Sequence, residues 1–366
     1  MTEVIAPCPH LANLPFYEPG RPIEDVAREL GLDPSRIVKL ASNENPLGPS
    51  PKAIEAMRQV VAGVHIYPDG NGFLLRQAIA KKHGVGMEQV VLANGSNEVI
   101  EFLGHAFLSP DDEMVISQYA FAIYEIVARI FQARIVEVPA QEYGHDLDAM
   151  LKAITPRTRL VFVANPNNPT GTAVSPGELE RFLHAVPDHA LVVVDEAYQE
   201  FLKNPLDTPG LIARKPNVVV MRTFSKAQGL AGLRIGYGLA DKGVAAALQK
   251  VRQPFNASLV AQAAALAALA DEEHIRRTVR TVDEGRDFLQ AEFRARKWKF
   301  VSSHGNFILV HVGDGKKVFD GLLRHGVIVR PMGGYKLPAW IRVTVGTRAE
   351  NEIFLKALDE VMSAGG

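Results

Sequence analysis

Short apolar runs alternate with longer amphipathic stretches through the first two thirds of the chain. The apolar runs predict strands at 89–92, 113–117, 133–138, 159–163, 191–194 and 217–221. Apolar residues at helical spacing predict helices at 23–30, 51–61, 73–83, 99–108, 124–131, 146–154 and 176–185. Short all-apolar strands between helices are typical of a mainly parallel sheet that is covered on both faces. Such a sheet brings its strand ends to one edge, where open α/β sheets bind ligands.

The pattern changes after residue 238. Helices are predicted at 241–253, 258–270, 273–296, 316–325 and 350–363, and strands at 299–301, 307–311 and 341–345. The first twenty residues are rich in proline and aromatic residues, which favour an extended arm. The predicted fold is therefore α/β. Residues 1–40 form the arm and part of a small domain, 41–252 a large domain with a mainly parallel sheet sandwiched by helices, and 253–366 a smaller α+β domain.

Composition narrows the classes of function. At 366 residues, with 47% hydrophobic and 22% charged residues, the chain is typical of a globular protein of roughly two domains. Its formal net charge of -1, without a basic stripe, predicts neither a nucleic-acid nor a membrane partner. The single cysteine, Cys8, excludes an intramolecular disulfide and fits a reducing compartment, the cytoplasm. We expect no signal peptide, since no basic segment followed by an apolar run opens the sequence.

The candidate chemistry begins with Lys226, which lies just past the strand predicted at 217–221. Ser225 precedes it, and a glycine-rich segment containing Arg234 follows. A lysine amine in this position can hold an aldehyde cofactor through an imine, while nearby hydroxyls and an arginine grip a phosphate. An isolated Ser-Lys pair is more often an exposed loop, because lysine is mostly a surface residue.

Three further groups favour a site. Residues 94–97 (NGSN) begin a helix, where free N–H groups bind an anion unless Ser96 or Asn97 merely caps the helix. Residues 165–171 (NPNNPTG) predict a rigid loop whose Asn-Pro bonds can be cis. Asp195 follows an apolar run, where a carboxylate is costly unless it faces a cation or caps a helix. With the lysine, these groups indicate a pyridoxal phosphate site with no metal.

The sequence resembles the fold-type I pyridoxal phosphate aminotransferases and, among them, the histidinol-phosphate aminotransferases, over nearly its whole length. The motifs that carry the resemblance are FYEPGR, KLASNENPLGPSP, YPDG, NGSNE, NPNNPTGT, DEAY, TFSKAQGLAGLRIGYG and WIRVTVGT. The resemblance implies transamination between glutamate/2-oxoglutarate and histidinol phosphate/imidazole-acetol phosphate in histidine biosynthesis. An aromatic amino-acid aminotransferase and an amino-acid-phosphate decarboxylase of the same fold are the alternatives. A regulator on this fold would carry a basic DNA-binding module, and the short arm is not basic.

The resemblance also implies roles for individual residues. Lys226 would bind the cofactor covalently and move the substrate's proton, and Asp195 would pair with the ring nitrogen. The other implied cofactor contacts are Gly95, Ser96, Asn97, Phe121, Asn168, Tyr198, Thr223, Ser225 and Arg234. Tyr67 would reach the cofactor phosphate of the partner subunit in a homodimer. The implied substrate contacts are Tyr17, Asn43, Arg330 and Arg342.

Two departures from the family pattern lie at the substrate end. Phe16 stands where the family usually has proline, and SQYAFAIY replaces a Pro-Thr-aromatic segment. For Phe121 the alternative role is core packing, since aromatic side chains are mostly buried. For Arg342 it is an exposed position on a strand, although its planar fork suits a carboxylate or phosphate.

Overall fold

The computed structural model describes residues 6, 8–12, 14, 16, 17 and 19–364, and of residue 364 only the backbone. Glu18 of the FYEPGR motif and residues 365 and 366 of the predicted small domain lie outside the described residues. The helices are α1 (Ile23–Leu30), α2 (Pro51–Val60), α3 (Phe73–His83), α4 (Ser96–Phe107), α5 (Ala122–Ile130), α6 (Leu147–Lys152), α7 (Pro176–Ala185), α8 (Thr208–Leu211), α9 (Lys242–Val251), α10 (Leu259–Leu269), α11 (Glu272–Ala295), α12 (Gly315–Arg324) and α13 (Arg348–Ala364). The strands are β1 (Val38–Lys39), β2 (Val90–Ala93), β3 (Glu113–Ser117), β4 (Arg134–Val138), β5 (Thr158–Ala164), β6 (Leu191–Asp195), β7 (Val218–Thr223), β8 (Gly236–Leu239), β9 (Phe300–Val301), β10 (Phe307–His311), β11 (Val327–Ile328), β12 (Arg330–Pro331) and β13 (Trp340–Thr344).

A seven-stranded sheet forms the centre of the large domain. Its strand order is β2-β8-β7-β6-β5-β3-β4, and neighbouring strands from β7 to β4 are parallel. The predicted α/β class with a mainly parallel sheet is confirmed. β8, which runs antiparallel to β7 and β2, is missing from the prediction. Two of its four residues are glycine, which strands disfavour, so the pattern favoured a loop there.

Alternate residues of the central strands point into two different cores. In β5, Val161 and Val163 join one core, whereas Leu160 and Phe162 join the other. The first core is closed by α2, α3, α6, α7 and α10, and the second by α4, α5 and α9. Each fully buried valine or leucine contributes about 1.5–3 kcal/mol, so the sheet is a rigid platform for the residues at its edge.

The small domain is built on the antiparallel sheet β12-β13-β10-β9, packed with α1, α11, α12 and α13. β1 pairs with β11, which ties residues 38 and 39 to this domain. The domain bounds stay a prediction. The packing of α10 is relevant to the predicted boundary between the large and the small domain, which begins the small domain at residue 253. Ala261, Ala264 and Ala268 belong to the core of the large sheet, and α10 packs against α2 and α3. We infer that the boundary lies near residue 270.

One segment of the described arm lies against the large domain. A single 3-10 turn, Pro9–Leu11, contacts α5. Cys8 is exposed and its thiol is free. Among the residues described, none of the helices has the length and apolar character needed to cross a membrane.

Candidate active site

A cleft of about 310 Å³ lies between the ends of β5, β6 and β7 and the facing edge of the small domain. All the residues predicted for the site line it except Gly95 and Tyr67. These lining residues are Tyr17, Asn43, Ser96, Asn97, Phe121, Asn168, Asp195, Tyr198, Thr223, Ser225, Lys226, Arg234, Arg330 and Arg342. Residues from the arm, from both domains and from several strand ends therefore meet at one place.

Lys226 lies three residues beyond the end of β7. Its Nζ donates a 3.0 Å hydrogen bond to the carbonyl oxygen of Ser42 and lies 5.6 Å from the centre of the Tyr198 ring. Burial lowers the pKa of Lys226 to about 8, and the positive charges of Arg342 and Arg234 act in the same direction. A lowered pKa leaves more uncharged amine near neutral pH, which is the form that attacks an aldehyde.

Asp195 is the last residue of β6 and is only 7% exposed. Its Oδ2 accepts a 2.6 Å hydrogen bond from the Tyr124 hydroxyl, and its Oδ1 accepts a 3.1 Å bond from the backbone N–H of Ala197. Burial raises the pKa of Asp195 to about 6, although both hydrogen bonds lower it. The next helical turn begins only after Tyr198, so Asp195 is not a helix cap. A cation beside this carboxylate would favour its ionised form.

The N-terminus of α4 faces the same cleft. The helix begins at Ser96, three residues before the predicted start, and Gly95 is its N-cap with φ at 78°. Among the described residues no side chain caps α4, whereas Ser175 caps α7. The capping alternative for Ser96 and Asn97 is therefore wrong. Uncapped N–H groups and the helix dipole make this end suitable for an anion.

Hydroxyl and guanidinium groups surround that helix end. The Thr223 hydroxyl donates to Oγ of Ser225 at 2.9 Å, and the Ser225 N–H donates to Oγ1 of Thr223 at 3.0 Å. A Cβ on Gly95 would collide with the guanidinium of Arg234, so glycine permits the close approach. Phosphate oxygens accept hydrogen bonds from all of these donor types.

Arg342 reaches across the cleft from β13 and is 6% exposed, so the exposed-strand alternative is wrong. Its guanidinium donates to Oδ1 of Asn168 at 2.5 Å and to the carbonyl oxygen of Ala41 at 2.8 Å. Its Nε is buried and finds no hydrogen-bond partner among the residues described. Both Asn-Pro bonds of the loop that carries Asn168 are cis. Burial lowers the pKa of Arg342 from its ordinary value. Taking this cation out of water costs free energy, and an anionic ligand in the cleft would offset that cost.

Asn43 and Tyr198 form a second contact across the cleft. The Asn43 side chain is buried, and its Nδ2 donates a 2.9 Å hydrogen bond to the Tyr198 hydroxyl oxygen. Burial raises the pKa of Tyr198 to about 12. The phenol therefore keeps its proton at neutral pH and can donate it to an acceptor in the cleft.

Aromatic residues line the mouth of the cleft. The exposed Tyr17 meets Phe121 edge to face at 6.4 Å between ring centres, and the Arg330 guanidinium lies 5.6 Å from the centre of the Tyr17 ring. Phe121 is half-buried, and its ring lies 5.8 Å from that of Tyr124. Phe121 thus lines the cleft and packs against a core residue, so both of its expected roles fit the structure.

Tyr67 lies away from this cleft. It is 79% exposed and stacks on Phe255 with 4.7 Å between ring centres. Its large apolar neighbours Val64, Ile66 and Leu74 are also exposed. Within one chain the structure does not bring Tyr67 together with the other predicted residues.

Two groups escaped the sequence analysis. The Tyr124 hydroxyl touches Asp195, but Tyr124 lies on the apolar face of α5 and reads as core. Glu196, next to Asp195, forms an ion pair with Arg222 at 2.7 Å and accepts a hydrogen bond from Thr208 at 2.5 Å. The position of Glu196 directly after a strand could have marked it as a buried acid. Its partner Arg222 lies 26 residues away in the sequence, so the ion pair can be seen only in the fold.

Comparison with known proteins gives the family. The family model described as "Aminotransferase class I and II" matches residues 35–358. A histidinol-phosphate aminotransferase of Akkermansia muciniphila is 54% identical, over 96% of this chain and 98% of that relative. A "Histidinol-phosphate aminotransferase 2" of Pseudomonas fluorescens is 50% identical, over 97% of each chain.

A solved structure agrees with the sequence relatives. The histidinol-phosphate aminotransferase of Sinorhizobium meliloti, in complex with pyridoxal-5'-phosphate, superposes with a TM-score of 0.90 at 30% identity and covers 98% of both chains. The predicted resemblance, and with it the fold-type I architecture, is confirmed. The chain belongs to the class I and II aminotransferases and, within them, to the histidinol-phosphate aminotransferases.

Proposed function

We propose that this protein transfers an amino group between glutamate/2-oxoglutarate and histidinol phosphate/imidazole-acetol phosphate, with pyridoxal phosphate as cofactor, in histidine biosynthesis. The observation that carries the proposal is the meeting of Lys226, Asp195 and the uncapped α4 N-terminus in one cleft with a buried arginine. The relatives' names and the cofactor in the Sinorhizobium meliloti structure support the same reaction.

The residues of the cleft fit the cofactor group by group. The Lys226 amine would hold its aldehyde end, and the Asp195 carboxylate would face its ring nitrogen. Asn168 and Tyr198 would face its ring hydroxyl, beside Phe121. Its phosphate would be held by the backbone of Gly95 and by Ser96, Asn97, Thr223, Ser225 and Arg234. When bound, the cofactor supplies an electron-withdrawing ring that stabilises negative charge on the substrate Cα.

The chain itself supplies the acid–base chemistry. Lys226, with its pKa lowered to about 8, is suited to take the proton from the substrate Cα and to return it. A positioned acid–base group of this kind contributes about 10²–10⁴ in rate. The carboxylate of Asp195, once ionised, would favour a protonated ring nitrogen, because a paired opposite charge stabilises the charged form.

One site must accept two different anions. Glutamate brings carboxylates, whereas histidinol phosphate brings a phosphate monoester. A guanidinium fork binds either group with two parallel hydrogen bonds, and Arg342 has an Nε without a partner among the described residues. Arg330 lies opposite Arg342 in the β12–β13 ladder and is the second anion contact, with Tyr17 and Asn43 lining the same pocket.

The working unit is a homodimer in which Tyr67 reaches the cofactor phosphate of the partner subunit. The exposure of Tyr67 and of its apolar neighbours supports this arrangement, since a large exposed apolar patch is typical of an interface. Co-expression of Tyr67→Ala with Lys226→Ala tests it. A mixed dimer has one complete site only if Tyr67 acts on the partner, so activity above that of either variant alone is expected. No recovery, or a monomer on ultracentrifugation, would contradict the arrangement.

The cysteine-poor sequence leads us to assign the protein to the cytoplasm. Fractionation of the producing cells with an antibody to the protein would test this assignment. Recovery in the membrane or extracellular fraction would refute it.

A substrate panel tests the proposed reaction. The cofactor-loaded protein is mixed with histidinol phosphate, glutamate or phenylalanine, and the visible absorbance is followed as the cofactor converts to its amine form. We expect kcat/KM for histidinol phosphate to exceed that for phenylalanine by about 10² or more, because phenylalanine offers one carboxylate but neither the phosphate nor the polar ring of histidinol phosphate, and a polar site left without its partners discriminates strongly. Equal values would favour an aromatic amino-acid aminotransferase, and released carbon dioxide would favour a decarboxylase.

A further inference from the structure

Tyr124 is a buried phenol that lines the cleft beside Asp195 and has no part in the roles derived above. Only 1% of it is exposed, and its hydroxyl lies 2.6 Å from Oδ2 of Asp195. We propose that Tyr124 is a positioning residue: it orients the Asp195 carboxylate toward the cofactor's ring nitrogen and keeps it ionised. This inference rests on the proposed function, because the ring nitrogen is the partner for which Asp195 is held.

Packing fixes the direction of the Tyr124 hydroxyl. Its ring stacks on Phe162 of β5 with 4.3 Å between centres and 19° between planes. Phe121 contacts the same ring edge to face, at 5.8 Å and 85°. A ring held on two sides cannot swing away from Asp195, so the hydrogen bond is preformed before any ligand arrives.

The chemistry of the pair gives the hydrogen bond one direction. Burial, and then the negative charge of Asp195, raise the pKa of Tyr124 well above its ordinary value, so the phenol stays protonated and donates. A hydrogen bond to the ionised form of an acid favours that form. Without the Tyr124 hydroxyl, the pKa of Asp195 would rise above about 6 and more of the acid would be neutral near pH 7.

The other groups around Asp195 do not replace this donor. Ala197 donates its backbone N–H to Oδ1, and Lys226, which follows β7, also lowers the pKa of Asp195. Glu196 is negative and acts in the opposite direction. Among the described residues only Tyr124 and Ala197 donate hydrogen bonds to the Asp195 side chain, so Tyr198 does not take the place of Tyr124. Each carboxylate oxygen has two acceptor positions, so Asp195 keeps acceptor capacity toward the cleft that it lines.

The test uses the Tyr124→Phe variant, which keeps the ring and removes only the hydroxyl. Tyr237→Phe is the matched control, because Tyr237 is also buried and its hydroxyl bonds His83 at 2.9 Å, away from Asp195. The dissociation constant of pyridoxal phosphate from the cofactor-free protein is measured from pH 5.5 to 8.5, with thermal melting as the check on folding.

We expect Tyr124→Phe to weaken cofactor binding about tenfold at pH 7, in line with the loss of a hydrogen bond to a charged group. The acidic limb, where affinity is lost, should move to higher pH. Tyr237→Phe should leave both quantities within about twofold of the wild type, since its hydroxyl acts elsewhere. In an Asp195→Asn background, Tyr124→Phe should have no further effect, because the group it acts through is gone.

Three results would overturn the inference. One is a Tyr124→Phe protein with wild-type affinity and an unmoved acidic limb. Another is the same loss of affinity with and without Asp195, accompanied by a lower melting temperature, which would make Tyr124 purely structural. A wild-type protein that fails to bind pyridoxal phosphate would overturn the inference and the proposed function together, whereas the first two outcomes leave the proposed function standing.

Discussion

The two halves of the cleft are assembled in different ways. The cofactor half, with Asp195, Thr223 and Lys226, is built from the ends of neighbouring strands of one buried sheet. The substrate half takes Tyr17 from the arm and Arg342 from the small domain. The first half is therefore fixed by a single core, whereas the second depends on how separate units lie against each other.

The contact between Arg342 and Asn168 is one of those that join the halves. Arg342 and Asn168 are 174 residues apart in the sequence, and their side chains meet at 2.5 Å. Because the same guanidinium also donates to the carbonyl oxygen of Ala41, it holds the small domain, the segment after β1 and the loop after β5 together. Variants on either side should therefore show whether the halves act separately.

The largest effect is expected in the cofactor half, for Lys226→Ala. Transamination should fall by at least about 10²–10⁴, since both the covalent attachment and the acid–base group are lost. Melting should stay near the wild-type temperature, because Lys226 belongs to none of the ion pairs of the described residues. Steady-state turnover of histidinol phosphate with 2-oxoglutarate measures the loss.

Lys242→Ala is the matched control for that variant. Lys242 is exposed on α9 and pairs with Glu88, away from the cleft, so its loss should be neutral. A Lys226→Ala protein with wild-type turnover would refute the assignment of the lysine.

The adjacent acids Asp195 and Glu196 should separate catalysis from stability. Asp195→Asn should lower turnover by about 10² or more, since a preorganised charge is lost from the reacting end. Glu196→Gln should instead lower the free energy of unfolding by about 3 kcal/mol, because Glu196 is buried and its loss leaves Arg222, whose side chain is only 11% exposed, uncompensated. Turnover and thermal melting of both variants measure the two effects. The reverse pattern would exchange the roles given to these residues.

Local sequence patterns predicted the cofactor half well. Asp195 and Lys226 each follow an apolar run that forms a buried strand. The alternation of strands with helices brings the ends of such strands to one edge of the sheet, so this pattern alone places both residues there. The Tyr124 hydroxyl could not be found in this way. It sits on a helix face whose other residues are core, and its partner is 71 residues away. Which of these residues contact the cofactor stays a prediction.

The pattern was weakest where short or unusual elements build the substrate half. β1, β11 and β12 have two residues each, too few for a visible alternation. The sequence alone left Arg342 as either an exposed strand residue or a buried anion contact. Its burial against Asn168 and Ala41 shows that it is not an exposed residue. Contacts between separate units carry no periodic signal, so they had to come from the fold or from the resemblance.

In the substrate half, Arg342→Ala should cost more than Arg330→Ala. Hydrogen bonds to charged groups contribute about 1.5–3 kcal/mol, so kcat/KM should fall about 10–100-fold for both glutamate and histidinol phosphate when Arg342 is lost. Arg330 is only half-buried, and its removal should cost about tenfold or less. Steady-state kinetics with each amino donor separates the two arginines. A larger loss for Arg330→Ala would reverse the order of the anion contacts.

The smallest expected effect is a shift in the pKa of Lys226, and it tests whether the two halves are coupled electrostatically. Lys226 must lose its proton to attack the cofactor aldehyde, so capture of pyridoxal phosphate by the cofactor-free protein should slow about tenfold per pH unit below about 8. Arg342 is one of the positive charges that lower this pKa, so Arg342→Ala should move the midpoint of the rate profile to higher pH. Stopped-flow absorbance from pH 6 to 9.5 measures both profiles. An unmoved midpoint would mean that Arg342 does not lower the lysine's pKa and that the substrate half does not tune the cofactor half through this charge.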